Sequence, residues 1–268
     1  MELTIIVPVH KIAENDKALL TKALTSVKNL QGADDYEIMF VGPDDVLNTA
    51  KEIYASVGCK QEAKYVKNNE TDFMTQVNTA AMQCITKYFS ILEFDDEYTP
   101  AWFKTAEKYI NEKPDLSVIL PITELVTTEG RAMSFANELT WATSFNDSEK
   151  LGTVDEEGLK IFMDFNVTGG IIKTEDFISI GRLKKSLKLA TWYEYLLRSV
   201  YKNKPVYVVP CIGYLHTIER EGSYMVTSRE SISQEEGKWL IDTARMEYFF
   251  PEDKNKTFGE YVEETEKQ

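Results

Sequence analysis

The feature that most restricts the fold is an alternation, through the first half of the chain, of short β-branched runs with stretches of helical spacing. Leu3 to Val9 reads as a buried strand. Ala18, Leu19, Ala23, Leu24, Val27 and Leu30 then recur at helical intervals between Asn15 and Leu30. Tyr36 to Val41 is a second apolar strand, closed by Gly42-Pro43. A helix from about Val46 to Val57 and a strand from Ala63 to Val66 follow, then a helix from about Asp72 to Lys87 and the strand Tyr88 to Phe94. Pro100 stands where a helix would start, a position that tolerates its missing N–H. Leu116 to Ile122 reads as a further strand. Such an order predicts an α/β chain with a mostly parallel, doubly wound sheet, whose ligands bind beyond the carboxyl ends of the strands.

The second half is less regular. Thr123 to Leu159 is polar and poor in strand signals, and reads as a long connection or insert. Asn166 to Lys173 carries β-branched residues around Gly169-Gly170. Helical patterns cover about Leu189 to Asn203 and Gln234 to Phe250, and between them Pro205 to Leu215 is an apolar strand ending at His216.

Composition narrows the partners. With 30 basic and 44 acidic side chains the formal charge is −14, which disfavours broad electrostatic binding to nucleic acid or an anionic membrane. Cys59, Cys84 and Cys211 form no paired motif, so reduced thiols in a cytosol are the simple reading. The apolar run Thr4 to Val9 is short and broken by Pro8, so no signal core is expected. No apolar run reaches the ~18 residues of a membrane span. A cytoplasmic protein is the expectation.

The chemistry concentrates in Glu93-Phe94-Asp95-Asp96-Glu97. Four carboxylates within five positions repel unless a cation neutralises them, and a hard divalent ion such as Mg²⁺ or Mn²⁺ prefers such ligands together with phosphate oxygens. The plainer alternative is a solvated acidic turn. The placement of the stretch after a buried strand favours the site.

These pieces, in order, resemble glycosyltransferase family 2 and its relatives with the GT-A fold. The resemblance runs over roughly Leu3 to Ser223. It rests on Ile5-Ile6-Val7-Pro8-Val9-His10, on Asn78 ahead of Ile91-Leu92-Glu93-Phe94-Asp95-Asp96, on Gly169-Gly170-Ile171-Ile172, on Ile180-Gly181 and on Leu197-Arg198. It implies one continuous GT-A domain, with a nucleotide-sugar-binding half over 1–122 and an irregular acceptor-side half with C-terminal helices over 123–268. It also implies a donor site in which Pro8, Val9 and His10 line the base. Asp95 and Asp96 would hold Mn²⁺ or Mg²⁺ and the diphosphate, with Glu93 in place of the first Asp and His216 as a further metal ligand. Asn78 belongs to the same donor set. Tyr214, Arg220 and Ser223 fall in a segment that closes over the donor, with Gly222 as its hinge. The reaction implied is metal-dependent transfer from a nucleotide-diphosphate sugar, a UDP-sugar by family habit, to a hydroxyl of a glycan, lipid carrier, protein or hydroxylated DNA base.

Two departures stand out. The acidic residues after the second strand are displaced to Asp44-Asp45, which either substitute in base reading or cap the next helix. Where the family places its catalytic Glu-Asp pair this chain has Thr191-Trp192, and the nearest replacement is Glu194. Glu194 is therefore the candidate base, with an exposed carboxylate one turn from Arg198 as the alternative. Arg182, Lys184, Lys185 and Lys188 form a basic patch that reads either as a phosphate contact or as a solvated loop. Two other functions stay open: a nucleotide-sugar binder without turnover, and a nucleotidyltransferase. The latter ranks low, because Val9 to Lys17 has no glycine to cradle a triphosphate.

Overall fold

The computed structural model describes residues 1–32, 36–138, 151–218, 220, 222–248, 259, 260 and 263. The first half follows the predicted alternation: β1 (Leu3–Pro8), α1 (Asp16–Lys28), β2 (Tyr36–Gly42), α2 (Asp44–Val57), β3 (Ala63–Lys67), α3 (Phe73–Ala81) and β4 (Tyr88–Ile91). β5 (Glu97–Tyr98), α4 (Trp102–Glu112), β6 (Val118–Val126), β7 (Ala132–Ala136), β8 (Thr153–Val154) and α5 (Glu156–Ile161) continue the chain. Then come β9 (Ile171–Lys173), α6 (Thr174–Ser179), a 3-10 segment (Lys185–Ala190), α7 (Thr191–Tyr201), β10 (Val206–Thr217), α8 (Tyr224–Ser231) and α9 (Gln234–Tyr248).

One sheet runs β3-β2-β1-β4-β9-β6-β10-β5, with β7 beside β6 and β8 beside β10. The β3-β2-β1-β4 half is parallel, and β6 is parallel to β10. β9 lies antiparallel to both β4 and β6 and joins the two parallel parts. β1 is buried along its whole length because helices cover both faces of the sheet. Leu3, Ile5 and Val7 pack with α1, α2 and α4, whereas Ile6 joins α3, α6 and α7 on the other side. The alternation follows from the period of two along a strand.

Three boundaries differ from the sequence reading. The β4 ladder stops at Ile91, and Asp96 N–H donates to Glu93 C=O at 3.1 Å, so the acidic stretch is a turn at the carboxyl end of β4. α3 stops at Ala81 rather than near Lys87, its end drawn into tight turns by Gln83 N–H to Ala80 C=O and Cys84 N–H to Ala81 C=O. The stretch from Thr123 to Leu159 holds the end of β6, all of β7 and β8, and much of α5. β7 is largely exposed, so it lacks the apolar alternation that marks a strand in sequence. Residues 139–150 of that stretch lie outside the described residues.

Candidate active site

The carboxyl ends of β4 and β10 meet where the acidic turn passes His216. β5 pairs antiparallel with β10, Glu97 opposite Leu215 and Tyr98 opposite Tyr214, and this holds the turn against the strand. Asp96 is almost wholly buried, one oxygen 2.8 Å from His216 Nδ1 and the other accepting Thr217 N–H at 2.8 Å. Glu93 N–H donates to the Tyr214 hydroxyl at 3.1 Å. The potential ligand atoms of Glu93, Asp96 and His216 all fall within 4.8 Å of one another.

Asp95 points elsewhere. Arg220 Nε donates to its carboxylate at 2.5 Å, and the same guanidinium lies 4.7 Å above the Phe94 ring and 3.8 Å from Asp16. The Thr217 hydroxyl donates to Asp95 C=O, which ties the turn to β10 a second time. The grouping therefore has Glu93 beside Asp96 and His216, where the expected metal set had Asp95.

The electrostatics follow from this crowding. Burial, then repulsion from Asp96, pushes Glu93 up to about 8, against the pull of His216 and Arg220. Burial and the Asp96 charge also raise Asp95, with Arg220 opposing. Burial disfavours the imidazolium of His216, but the charge and hydrogen bond of Asp96, with Glu93 and Asp95 behind them, prevail and raise it to about 10. The cluster thus holds protons that a divalent cation would displace. Its carboxylate donors suit Mn²⁺ or Mg²⁺, and the imidazole favours Mn²⁺ over the harder Mg²⁺.

Of the expected base-lining residues, Pro8 and Val9 are buried at the end of β1. Val9 C=O would lie 2.0 Å from a Cβ on Gly42, so only glycine fits there. His10 is half-buried with its ring 6.4 Å from Phe94, beside the acidic turn. Burial and the nearby Arg220 lower its pKa. Asp44 opens α2 and pairs with Lys67, an exposed arrangement apart from the acidic cluster. Asn78 grips the backbone of Leu183, its Nδ2 donating to the carbonyl and its Oδ1 accepting the N–H at 2.9 and 3.0 Å. Its amide thereby fixes the loop after α6. Ser223 caps α8 by accepting Val226 N–H, and Gly222 has φ 75° with open space around it.

The assignment of Glu194 as base requires correction. Its carboxylate is fully buried, one oxygen 3.0 Å from Arg198 Nη2 and the other 2.9 Å from Lys184 Nζ and bonded to the Tyr248 hydroxyl. Fully buried and held by a guanidinium, an ammonium and a phenol hydroxyl, this carboxylate does not face an acceptor hydroxyl. Arg198 also donates to Ile180 and Arg182 C=O, so the pair braces the loop ahead of α7. Thr191 bonds Lys184 C=O, and Trp192 packs edge-on against Phe73. In the basic patch Lys184, Lys185 and Lys188 are each paired, to Glu194, Asp72 and Glu236, which neutralises most of its charge.

Sequence reasoning passed over Thr217 and Asp16. Thr217 is legible only as the neighbour of His216, and nothing in the sequence marks Asp16.

A profile of glycosyl transferase family 2 matches residues 4–221, from β1 through Arg220. The chain belongs to that family. This glycosyltransferase also shares its fold with S. aureus TarS. The TarS 1–349 complex with UDP-GlcNAc superposes with a TM-score of 0.67 at 18% identity, covering 93% of this chain and 68% of that one. The TarS 1–349 complex with UDP gives 0.60 at 14% identity over 94% and 74%. Against a longer TarS structure the TM-score is 0.60 at 18% identity, with 97% of this chain covering 45% of it. No curated protein sequence matches this glycosyltransferase. Among the described residues no helix is long and apolar enough to cross a membrane.

Proposed function

We propose that the chain transfers a sugar from a nucleotide-diphosphate donor, a UDP-sugar, to an acceptor hydroxyl, with a divalent ion held by Glu93, Asp96 and His216. The observation that carries this reading is the convergence of those three side chains at the carboxyl end of β4 in a family 2 glycosyltransferase. The UDP-GlcNAc and UDP complexes of the structurally similar TarS support a uridine nucleotide as donor. Bound there, Mn²⁺ or Mg²⁺ would neutralise the diphosphate and stabilise it as a leaving group.

The chain's own residues orient the donor. His10, Phe94 and the Arg220 guanidinium form a partly aromatic, cationic wall at the end of β1, suited to a base and its phosphates. Asp95 holds Arg220 at the edge of the acidic turn, where the guanidinium can turn to the diphosphate. Asp96 keeps the His216 ring oriented through Nδ1.

The test is a melting screen of UDP and UDP-sugars with and without Mn²⁺. A ligand at one hundred times its dissociation constant adds about 2.7 kcal/mol, so a stabilisation that requires both nucleotide and metal is the expected result. Absence of any shift with every uridine nucleotide overturns the reading.

A further inference from the structure

A polar network lies beside the Gly169-Gly170 turn. Asn137 is fully buried and adopts left-handed backbone, φ 61°. Its Nδ2 donates to Pro121 C=O at 2.8 Å and to Asn166 C=O at 2.7 Å, and its Oδ1 accepts Asn166 N–H at 2.9 Å. A side chain thus replaces a neighbouring strand and fixes the backbone of Asn166 on both sides. Asparagine tolerates the left-handed conformation better than most residues, and strain of this sort is held where a neighbour must be placed accurately.

Asn166 is itself half-exposed. Its Oδ1 accepts the Thr168 hydroxyl at 2.7 Å, and its Nδ2 donates to Thr123 Oγ1 at 3.3 Å. An amide offers two N–H groups and two lone pairs, so these contacts leave one of each available among the described residues. Thr123 is the register partner of Tyr214, and His216 is opposite Leu125 two residues further on. The period of two puts Thr123, Tyr214 and His216 on one sheet face, the face where the Tyr214 hydroxyl meets Glu93. Gly169 N–H bonds Ile91 C=O, which ties the same turn to the end of β4.

We propose that Asn166 recognises hydroxyl groups of the sugar carried by the donor. The assignment rests on the nucleotide-sugar reading above and deepens it. In the strand order β1-β4-β9-β6, His10 follows β1 and Asn166 reaches β6, with the acidic turn after β4 between them. A donor with its diphosphate at the acidic turn and its base toward His10 carries its sugar toward β6. A neutral amide with one donor and one acceptor matches a pair of neighbouring sugar hydroxyls and gives a phosphate no charge to bind.

The experiment is calorimetric titration of UDP, UDP-glucose, UDP-galactose and UDP-N-acetylglucosamine, with Mn²⁺ present, into the wild type, Asn166→Ala and Asn166→Asp. In Asn166→Ala the best-bound UDP-sugar is expected to weaken about tenfold while UDP stays within about twofold, the split expected for one or two lost hydrogen bonds to the sugar. Asn166→Asp keeps the shape and the acceptor for Thr168 but loses the N–H. It should show the same split, and it supplies the readout where the alanine variant melts early. Equal losses for UDP and UDP-sugar, or no loss in either, overturn the assignment. On this assignment UDP ends short of Asn166, so a wild type that binds UDP-sugars no differently from UDP sinks this assignment alone, whereas one that binds no uridine nucleotide sinks the donor-site reading itself.

Discussion

Asp95 and Asp96 are neighbours with different tasks, because one faces Arg220 and the other faces His216 and Thr217 N–H. Removing a direct ligand charge costs more metal affinity than removing a carboxylate already spent on an arginine. Asp96→Asn is therefore expected to weaken Mn²⁺ binding by about tenfold or more, and Asp95→Asn by less than about threefold. Calorimetry of the donor-free protein checks this, and the reverse order would return Asp95 to the metal set. Glu194 invites a second test at this scale. Replacing it with Gln removes the charge facing a buried Arg198 while keeping the shape. A buried partner left unpaired costs about 3–5 kcal/mol, so Glu194→Gln should lose stability on that order in urea melts. Turnover per folded molecule should stay within about twofold. A collapse of turnover with stability intact would restore the carboxylate as the base.

At the scale of elements, the acidic turn, the Gly169-Gly170 turn and β10 support one another. Trp102 Nε1 donates to Gly169 C=O at 2.8 Å, and a Cβ on Gly169 would lie 2.3 Å from the Tyr214 ring with φ at +78°. Gly169→Ala must therefore displace Tyr214, whose hydroxyl meets Glu93 N–H, and is expected to cost about 3 kcal/mol of stability and to lower Mn²⁺ affinity as well. A variant with lower melting but unchanged metal affinity would show that the turn and the site are uncoupled. Legibility in the sequence divides along the same lines. β1 and β2 were readable as short continuous apolar runs buried on both faces, and α1 and α2 because each buries one face at helical period. β9 is only three residues long and antiparallel, so no periodicity can announce its direction. The acidic turn was readable as a cluster of like charges, but the partition between Glu93 and Asp95 depends on Arg220 and His216, more than a hundred residues away. Glu194 shows the opposite failure: its i,i+4 spacing to Arg198 was visible, while its burial required Lys184 and Tyr248 from distant segments.

For the molecule as a whole, the site should dominate how stability changes with pH. The folded values of Glu93 and His216 are both raised, from 4.5 to about 8 and from 6.5 to about 10. A raised value means that the fold favours the protonated form, so the contribution is complete below the unfolded value and disappears as pH climbs through the folded one. For Glu93 the loss runs between 4.5 and about 8, and for His216 between 6.5 and about 10, the two windows overlapping. Asp72 and Asp176 work in the other direction: lysine and hydroxyl partners outweigh burial and lower both from 3.8, a gain complete by mildly acidic pH. Metal-free protein is therefore expected to melt highest near about pH 5 and progressively lower toward about pH 9. On the proposed metal site, Mn²⁺ would bind the deprotonated cluster and supply at high pH the neutralisation that protons supply at low pH, so its affinity should rise over the same interval. Melting curves across pH with and without Mn²⁺ check the prediction. The two sets should converge in acid and separate in alkali, and Glu93→Gln should flatten the lower part of the metal-free slope. A metal-free melting temperature that rises from about pH 6 to about pH 9 would mean that the carboxylates of the acidic turn are not held together as the fold places them.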